Sequence, residues 1–412
     1  MRSRDIRRSI IISIVSIVLS GASGWAQSSD PSPSPGPVVQ TPPTPSPTPT
    51  PSPAPPEAPP PEPPPTEVPP GAAGAGGPSG PLPVYGNVGA SKVFNPDIAV
   101  IGDFLGAIGK NDSERATPSL ELHEAETSFQ AIVDPYARAD FFLTFSNDEV
   151  GVEEGFVTFT SLPGNFLVKV GKMRASFGKV NQMHNHVMPW TDRPIVTDNL
   201  VGGEDGIDDA GISLSRLFPN ELLFLEATAE VYRGESNIFR APERGDLTWV
   251  GRLRGYRDLT ESTNLDFGGS FAQGHNDVAG PGFKTRLFGA DIAFRYRPLR
   301  RAIYRRLILR TELMWSRKEL EAGPVKAFGA YVSGEYQFAQ RWFAGVRLDR
   351  SDRADDAALV DKGASVLLTY WPSEFSQIRG QYRHTRYAED IKANELLFQV
   401  QFSIGAHGAH TF

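Results

Sequence analysis

From about Pro96 to Phe412 the chain alternates apolar and polar residues in segments of about 10 to 14, a period of two that calls for a sheet with two unlike faces. In Ala137–Phe145 one face reads Ala137, Ala139, Phe141, Leu143, Phe145, and the other Arg138, Asp140, Phe142, Thr144. Leu396–Ile404 sets Leu396, Phe398, Val400, Phe402 and Ile404 against Gln399, Gln401 and Ser403. The pattern predicts sixteen strands, at about 97–109, 119–133, 136–147, 149–161, 165–177, 208–218, 221–232, 246–257, 262–274, 284–297, 303–317, 326–338, 341–350, 362–371, 375–387 and 392–405.

The connections sort by parity. After even-numbered strands they are mostly tight, as at Asp134-Pro135, Pro163-Gly164, Pro219-Asn220 and Ala339-Gln340. After odd-numbered strands they are mostly long, as at 179–207, 233–245, 275–283 and 351–361. A membrane barrel has short turns at one rim and long loops at the other, whereas a soluble sandwich has no reason to sort them. The apolar face rarely carries a charge, and Trp249, Trp315, Trp342 and Trp371 lie on it or at segment ends, where interfacial girdles belong. The fold expected is an all-β transmembrane antiparallel barrel of about 16 strands, preceded by a disordered Pro-rich segment.

The N-terminus fits delivery to such a place. Arg2, Arg4, Arg7 and Arg8 precede the apolar run Ser9–Leu19, and small residues lead to Ala26, the plan of a cleaved secretory signal over 1–26. Segment 27–84 is a Pro/Gly-rich periplasmic linker, with 21 of the 36 prolines in 31–70. Proline favours extended polyproline II there, and ~3.1 Å per residue gives a reach of roughly 120 Å. It serves as a plain tail or as a tether to peptidoglycan. The barrel domain is 90–412. Loss of the signal removes four Arg and one Asp, taking the net charge from −7 to about −10, so nucleic acid is not a partner. The chain contains no cysteine, which excludes disulfides and thiol chemistry.

The stretch Phe166-Leu167-Val168-Lys169-Val170-Gly171-Lys172-Met173-Arg174-Ala175-Ser176-Phe177-Gly178 resembles the fifth-strand region of the phosphate-selective and related anion porins. The resemblance implies a trimeric channel whose longest loop, after strand five, folds into the pore. The terminal Phe412 is similar to the signal that outer-membrane proteins present to the barrel-assembly machinery, although His407 and His410 stand where further apolar residues are usual. The chain is also similar to barrels labelled metal-regulated TonB-dependent receptors, with low-complexity proline where such receptors carry a plug.

The polar face offers pore-lining candidates: Arg252, Arg254, Asp291, Arg295, Arg306, Arg310, Glu312, Arg347, Asp349, Arg379 and Arg383. Arginine dominates strands 8, 10, 11, 13 and 15 and glutamate strands 2 and 7, so a transverse field across the lumen is expected, favouring anions. These charges can equally brace the wall as salt bridges. In the long loop, Lys179, His184, His186, Trp190, Asp192 and Arg193 are candidates for a constriction, with Pro189 and Pro194 as stiffeners. His184 and His186 are also candidate metal ligands, with Asp192, Asp205 or His123 as a third, or they merely hydrogen-bond within the loop. His407 and His410 form a second such pair. Ser176 lies near His184 in sequence, but no motif supports a nucleophile, and neither enzymatic activity nor a cofactor is expected. The expectation is an outer-membrane channel for passive diffusion of small hydrophilic solutes, anions such as phosphate first. The alternatives are transport of metal ions (zinc) or metal complexes, and a structural barrel tethered to the cell wall. Its partners would be outer-membrane lipid, two further copies of itself, the assembly machinery and peptidoglycan.

Overall fold

The computed structural model describes residues 96–146, 150–277 and 282–405. The signal (1–26), the linker (27–84), His407, His410 and Phe412 lie outside the described residues. Sixteen strands follow one another: β1 (Asp97–Lys110), β2 (Leu120–Asp134), β3 (Ala137–Phe145), β4 (Val150–Leu162), β5 (Phe166–Arg174), β6 (Asp208–Phe218), β7 (Phe224–Tyr232) and β8 (Thr248–Thr260) form the first half. The second half is β9 (Thr263–His275), β10 (Lys284–Tyr296), β11 (Arg306–Lys318), β12 (Val325–Ala339), β13 (Trp342–Asp352), β14 (Val360–Ser373), β15 (Ser376–Arg386) and β16 (Lys392–Gly405). Each pairs antiparallel with its sequence neighbours, and β1 pairs with β16 from Ala99↔Gly405 to Lys110↔Asn394, closing the barrel.

The predicted strands are all present, and the tight connections fall mostly after even-numbered strands, the long 297–305 after β10 and the short 146–149 after β3 being exceptions. At β5 the strand ends at Arg174 rather than at 177. There the chain leaves the wall, and Ala175 and Phe177 become fully buried. β7 begins at Phe224 rather than at 221, because Asn220 folds the turn by accepting from the N–H groups of Leu222 and Leu223 at 3.0 Å each. No helix among the described residues is long and apolar enough to cross a membrane.

The outer surface is apolar and ringed with aromatics at two levels. Near the long-loop rim, Trp315 packs on Phe328 with ring centroids 5.5 Å apart, and Phe271 on Phe288 at 5.1 Å. Near the short-turn rim, Trp342 packs on Tyr370 at 4.6 Å. These cross-strand pairs stiffen the sheet where a bilayer's interfaces would lie.

Two irregularities re-aim side chains. In β2, Asp103 faces Glu124 while Phe104 faces Leu122, leaving His123 as an extra residue. In β4, Phe142 faces Glu154 while Leu143 faces Val152, leaving Glu153 extra. A bulge shifts the phase of alternation, so both members of His123-Glu124 and of Glu153-Glu154 point inward. Close by, Gly171 sits at φ +145°, and a Cβ there would lie 2.2 Å from the Gly155 carbonyl oxygen. Only glycine fits that approach. Gly171→Ala is expected to cost about 1–3 kcal/mol of local strain and to lower the temperature at which the folded barrel loses its fast gel mobility; an unchanged midpoint would mean that the strands part without penalty.

Candidate pore constriction

The segment 175–207 between β5 and β6 lies inside the barrel. Asn181 closes its neck: the amide donates to the carbonyls of Ala175 (2.9 Å) and Ile207 (3.1 Å) and accepts from the Ile207 N–H at 2.9 Å. Two short 3-10 turns, Val180–Gln182 and Asn185–Val187, and the helix α1 (Ile195–Leu200) then fold across the lumen. A loop outside the barrel could not reach so many strands: it is bonded to Glu126 on β2, Glu154 on β4, Glu312 on β11, Asp349 on β13, Asp361 on β14, Gln381 on β15 and Gln401 on β16.

Its docking surface is an apolar patch on the inner wall. Val250, Ala272 and Leu287 stand directly opposite one another on β8, β9 and β10, and Met314, Ala327 and Tyr331 continue the patch across β11 and β12. Phe177, Val180, Trp190, Val196, Leu200 and Ile207 pack against it to make one buried cluster. Trp190 meets the Tyr331 ring edge-on at 5.2 Å, with the Arg347 guanidinium 5.2 Å from its own ring. Apolar residues at these inward positions are the signal that marks such a seat, and reading the polar face for charges alone passes over it.

Charged residues fasten the loop. Glu312 accepts from the backbone N–H groups of Lys179 (3.1 Å) and Val180 (3.0 Å) and from the Tyr331 hydroxyl (3.0 Å). Gly178, at φ +62°, makes room for it, since a Cβ there would sit 2.3 Å from Glu312 Oε2. Arg347 binds the Asp192 carboxylate (2.9 Å), the Asp192 carbonyl (2.8 Å) and Asp349 (2.8 Å), and Arg383 binds Asp192 (2.9 Å) and Glu395. Burial would raise the Asp192 carboxyl, but Arg347 and Arg383 hold it at about 2. Glu312, Arg347, Asp349 and Arg383 thus point inward yet spend themselves on the loop. Arg193 is buried and donates to the carbonyls of Val180 and Met183 and to Asn185 Oδ1; burial and the nearby Arg174 charge lower it to about 10.

Below the loop, towards the short-turn rim, the remaining candidates line the wall. Arg252 is paired with Asp291 at 2.8 Å. Asp266 is shared by Lys179 (2.8 Å), Arg254 (3.0 Å) and Arg295 (3.5 Å). The register places Arg306 and Arg310 on one face of β11, with Arg295 beside them on β10 and Glu335 opposite Ile308 between them. Arg379 is bonded to the neutral partners Thr369, Gln399 and Gln377.

The opposite wall is acidic. His184 bridges Glu126 (Nδ1, 2.7 Å) and Glu154 (Nε2, 2.7 Å), and His186 Nδ1 lies 3.3 Å from Glu126. Burial would lower both imidazoles, but Glu153 and Glu126 hold His184 well above its usual value, and Glu126 raises His186. The carboxylate that joins the two histidines is Glu126, which the sequence reading did not pair with them. Asp192 is taken by Arg347 and Arg383, Asp205 bonds Asn237, and His123 lies between Asp103 and Glu204 at 3.6 Å from each. Ser176 Oγ donates to Glu230 at 2.9 Å rather than to a histidine.

The closed sixteen-stranded barrel with an apolar outer face and a loop folded inward after β5 has the fold of outer-membrane porins and channels. The solved structures it resembles belong there. They include an anion-selective porin from Comamonas acidovorans (TM-score 0.54, 11% identity, 75% of this chain and 99% of that one) and OprB of Pseudomonas putida (0.51, 10%, 75% and 94%). The outer membrane channel DcaP of Acinetobacter baumannii is as close in fold (0.51, 11%, 75% and 96%). In sequence the chain is 29% identical over 391 residues to an uncharacterized protein of Aquifex aeolicus (strain VF5), covering 78% of this chain and 81% of that protein. No family model matches.

Proposed function

We propose that the barrel is a passive diffusion channel for small hydrophilic anions, with phosphate as the leading solute. The observation that carries this reading is the asymmetry of the lumen. Arg295, Arg306 and Arg310 cluster around Glu335, with Arg295 also paired to Asp266 at 3.5 Å, and Arg379 is bonded to the neutral groups of Thr369, Gln399 and Gln377. Across the lumen, Glu126, Glu153 and Glu154 are engaged by His184 and Arg174. Guanidinium groups in a narrow, partly dry passage lower the energy of an anion, and their planar fork suits phosphate oxygens. The likeness of the 166–178 stretch to the phosphate-selective porins points the same way. In this reading the protein is a homotrimer in the outer membrane, with the Pro-rich segment in the periplasm.

The test is the reversal potential of the refolded barrel in a planar bilayer under a KCl gradient. Open steps reversing on the chloride side, with phosphate reducing chloride current, are expected. Cation selectivity, or no conductance from folded protein, would overturn the reading.

A pH dependence follows from Asp198 on α1. It lines a cavity of about 200 Å³ together with Arg115, Asp192, Arg193, Arg347 and Arg383. Burial and the charge of Asp192 raise its carboxyl to about 7, against the pull of Arg115, Arg193 and Arg347. The group is therefore neutral below pH 7 and adds a negative charge above it. Anion preference should fall between pH 6 and pH 8, and Asp198→Asn should flatten that change; a wild-type preference constant over this range would show the carboxyl titrating elsewhere.

A further inference from the structure

We propose that Glu126, Glu153, His184 and His186 form a binding site for one divalent transition-metal ion of the Zn²⁺ class, which fastens the lumen loop to the β2–β4 wall. One donor atom each from Glu126, His184 and His186 lies within 4.8 Å of the other two, and Glu153 Oε2 stands beside His184. Glu126 Oε2 lies 2.7 Å from His184 Nδ1 and 3.3 Å from His186 Nδ1, and Glu153 Oε2 lies 3.6 Å from His184 Nδ1. In a tetrahedral site with bonds of ~2.0–2.1 Å, neighbouring donors stand ~3.3 Å apart. Two of the three separations already match to within ~0.3 Å, and the third must open by ~0.6 Å. Two imidazole nitrogens with two carboxylate oxygens suit Zn²⁺ better than Ca²⁺ or Mg²⁺, which take oxygen alone.

Two independent observations support a cation here. The far nitrogen of His184, Nε2, is 2.7 Å from Glu154 Oε2, and Glu154 Oε1 accepts the Arg174 N–H at 2.7 Å. A metal-bound histidine commonly hands its other N–H to such a carboxylate, which fixes the ring and its tautomer. Second, Glu153 Oε2 and Glu124 Oε1 are buried without a hydrogen-bond partner, in side chains only 8% and 7% exposed. Oxygens of Glu124, Glu126 and Glu153 lie within 4.8 Å of one another. Buried carboxylate oxygens that close repel one another unless a positive charge stands between them. The bulges at His123 and Glu153 bring about this crowding, since regular strands would have turned one member of each pair outward. The site concerns how the loop is held, and a channel of either ion preference can carry it.

The test uses the full barrel refolded in detergent, stripped with EDTA and titrated with Zn²⁺ alone, with folding read by heat-dependent gel mobility. One Zn²⁺ per chain is expected, lost in His184→Ala/His186→Ala and retained in His407→Ala/His410→Ala. Glu154→Gln, which removes only the partner of His184, should weaken binding ~10- to 100-fold. Co²⁺ bound to the unaltered protein should show the intense visible bands of a four-coordinate site, a readout that stands even where the histidine variants fail to fold. Absence of stoichiometric binding, a six-coordinate Co²⁺ spectrum, or loss of binding on removing His407 and His410 would each overturn the proposal.

Discussion

Replacing Arg295, Arg306 and Arg310 together by glutamate is expected to invert the ion preference of the pore. At ~8 Å through water each unit charge contributes about 0.5 kcal/mol to a passing ion. A Debye length of ~10 Å at 0.1 M salt roughly halves that. Six units of charge change then amount to about 1.5 kcal/mol, roughly tenfold in the local concentration of each ion. The reversal potential should move from the chloride to the potassium side, and the change should shrink at 1 M salt. Arg310→Glu alone should move it part of the way. A triple variant that folds and keeps its chloride preference would relocate the selective step, most directly to Arg379 or to the cations around Asp266.

The second large effect is expected at Arg347. It is 1% exposed and joins the wall to Asp192, the Asp192 carbonyl and Asp349, with its guanidinium against Trp190. Arg347→Ala leaves Asp349 without its guanidinium partner, and Asp192 keeps only Arg383 and Gln381. Breaking a buried ion pair from one side costs ~3–5 kcal/mol. The cost falls on loop docking rather than on the strand ladder, which Arg347 joins through its backbone. Larger and noisier single-channel steps are expected, with new protease cleavage within 175–207 in a barrel that still resists unfolding in detergent. Wild-type conductance with a protected loop would place the docking energy in the apolar seat under Trp190, Val196 and Leu200.

The strands, their faces and the parity of the loops were legible in the sequence because a period of two is a local property, and each segment carries its own evidence. The loop's entry was legible only through the likeness of the 166–178 stretch and the length of the loop after strand five, and the structure supplies the physical reason for its closing glycine: φ +62° at Gly178 and no space beside Glu312. The bulges were not legible as such. His123-Glu124 and Glu153-Glu154 read as lapses in alternation, and only the register of the partner strands shows that both members face inward. Nor could sequence spacing assign partners across the lumen. His184 lies 58 residues from Glu126, and Asp192 lies 155 from Arg347. Of the candidate third ligands Asp192, Asp205 and His123, the last lies on β2, the strand that reaches the loop, but it is Glu126, three residues further on, that meets both histidines.

The lumen loop also bears on the order of assembly. Strands β1 and β16, the two ends of the barrel, meet each other last in chain order, and once they have met the wall has no opening along its side. A segment bonded to β2, β4, β11, β13, β15 and β16 is tied to strands from both ends of the chain. Its seat on β8–β12 can be occupied while the sheet is still an open strip, and the bonds to β15 and β16 then form as the strip curls. A loop docked at that stage would give the curling strip an inner surface to close upon.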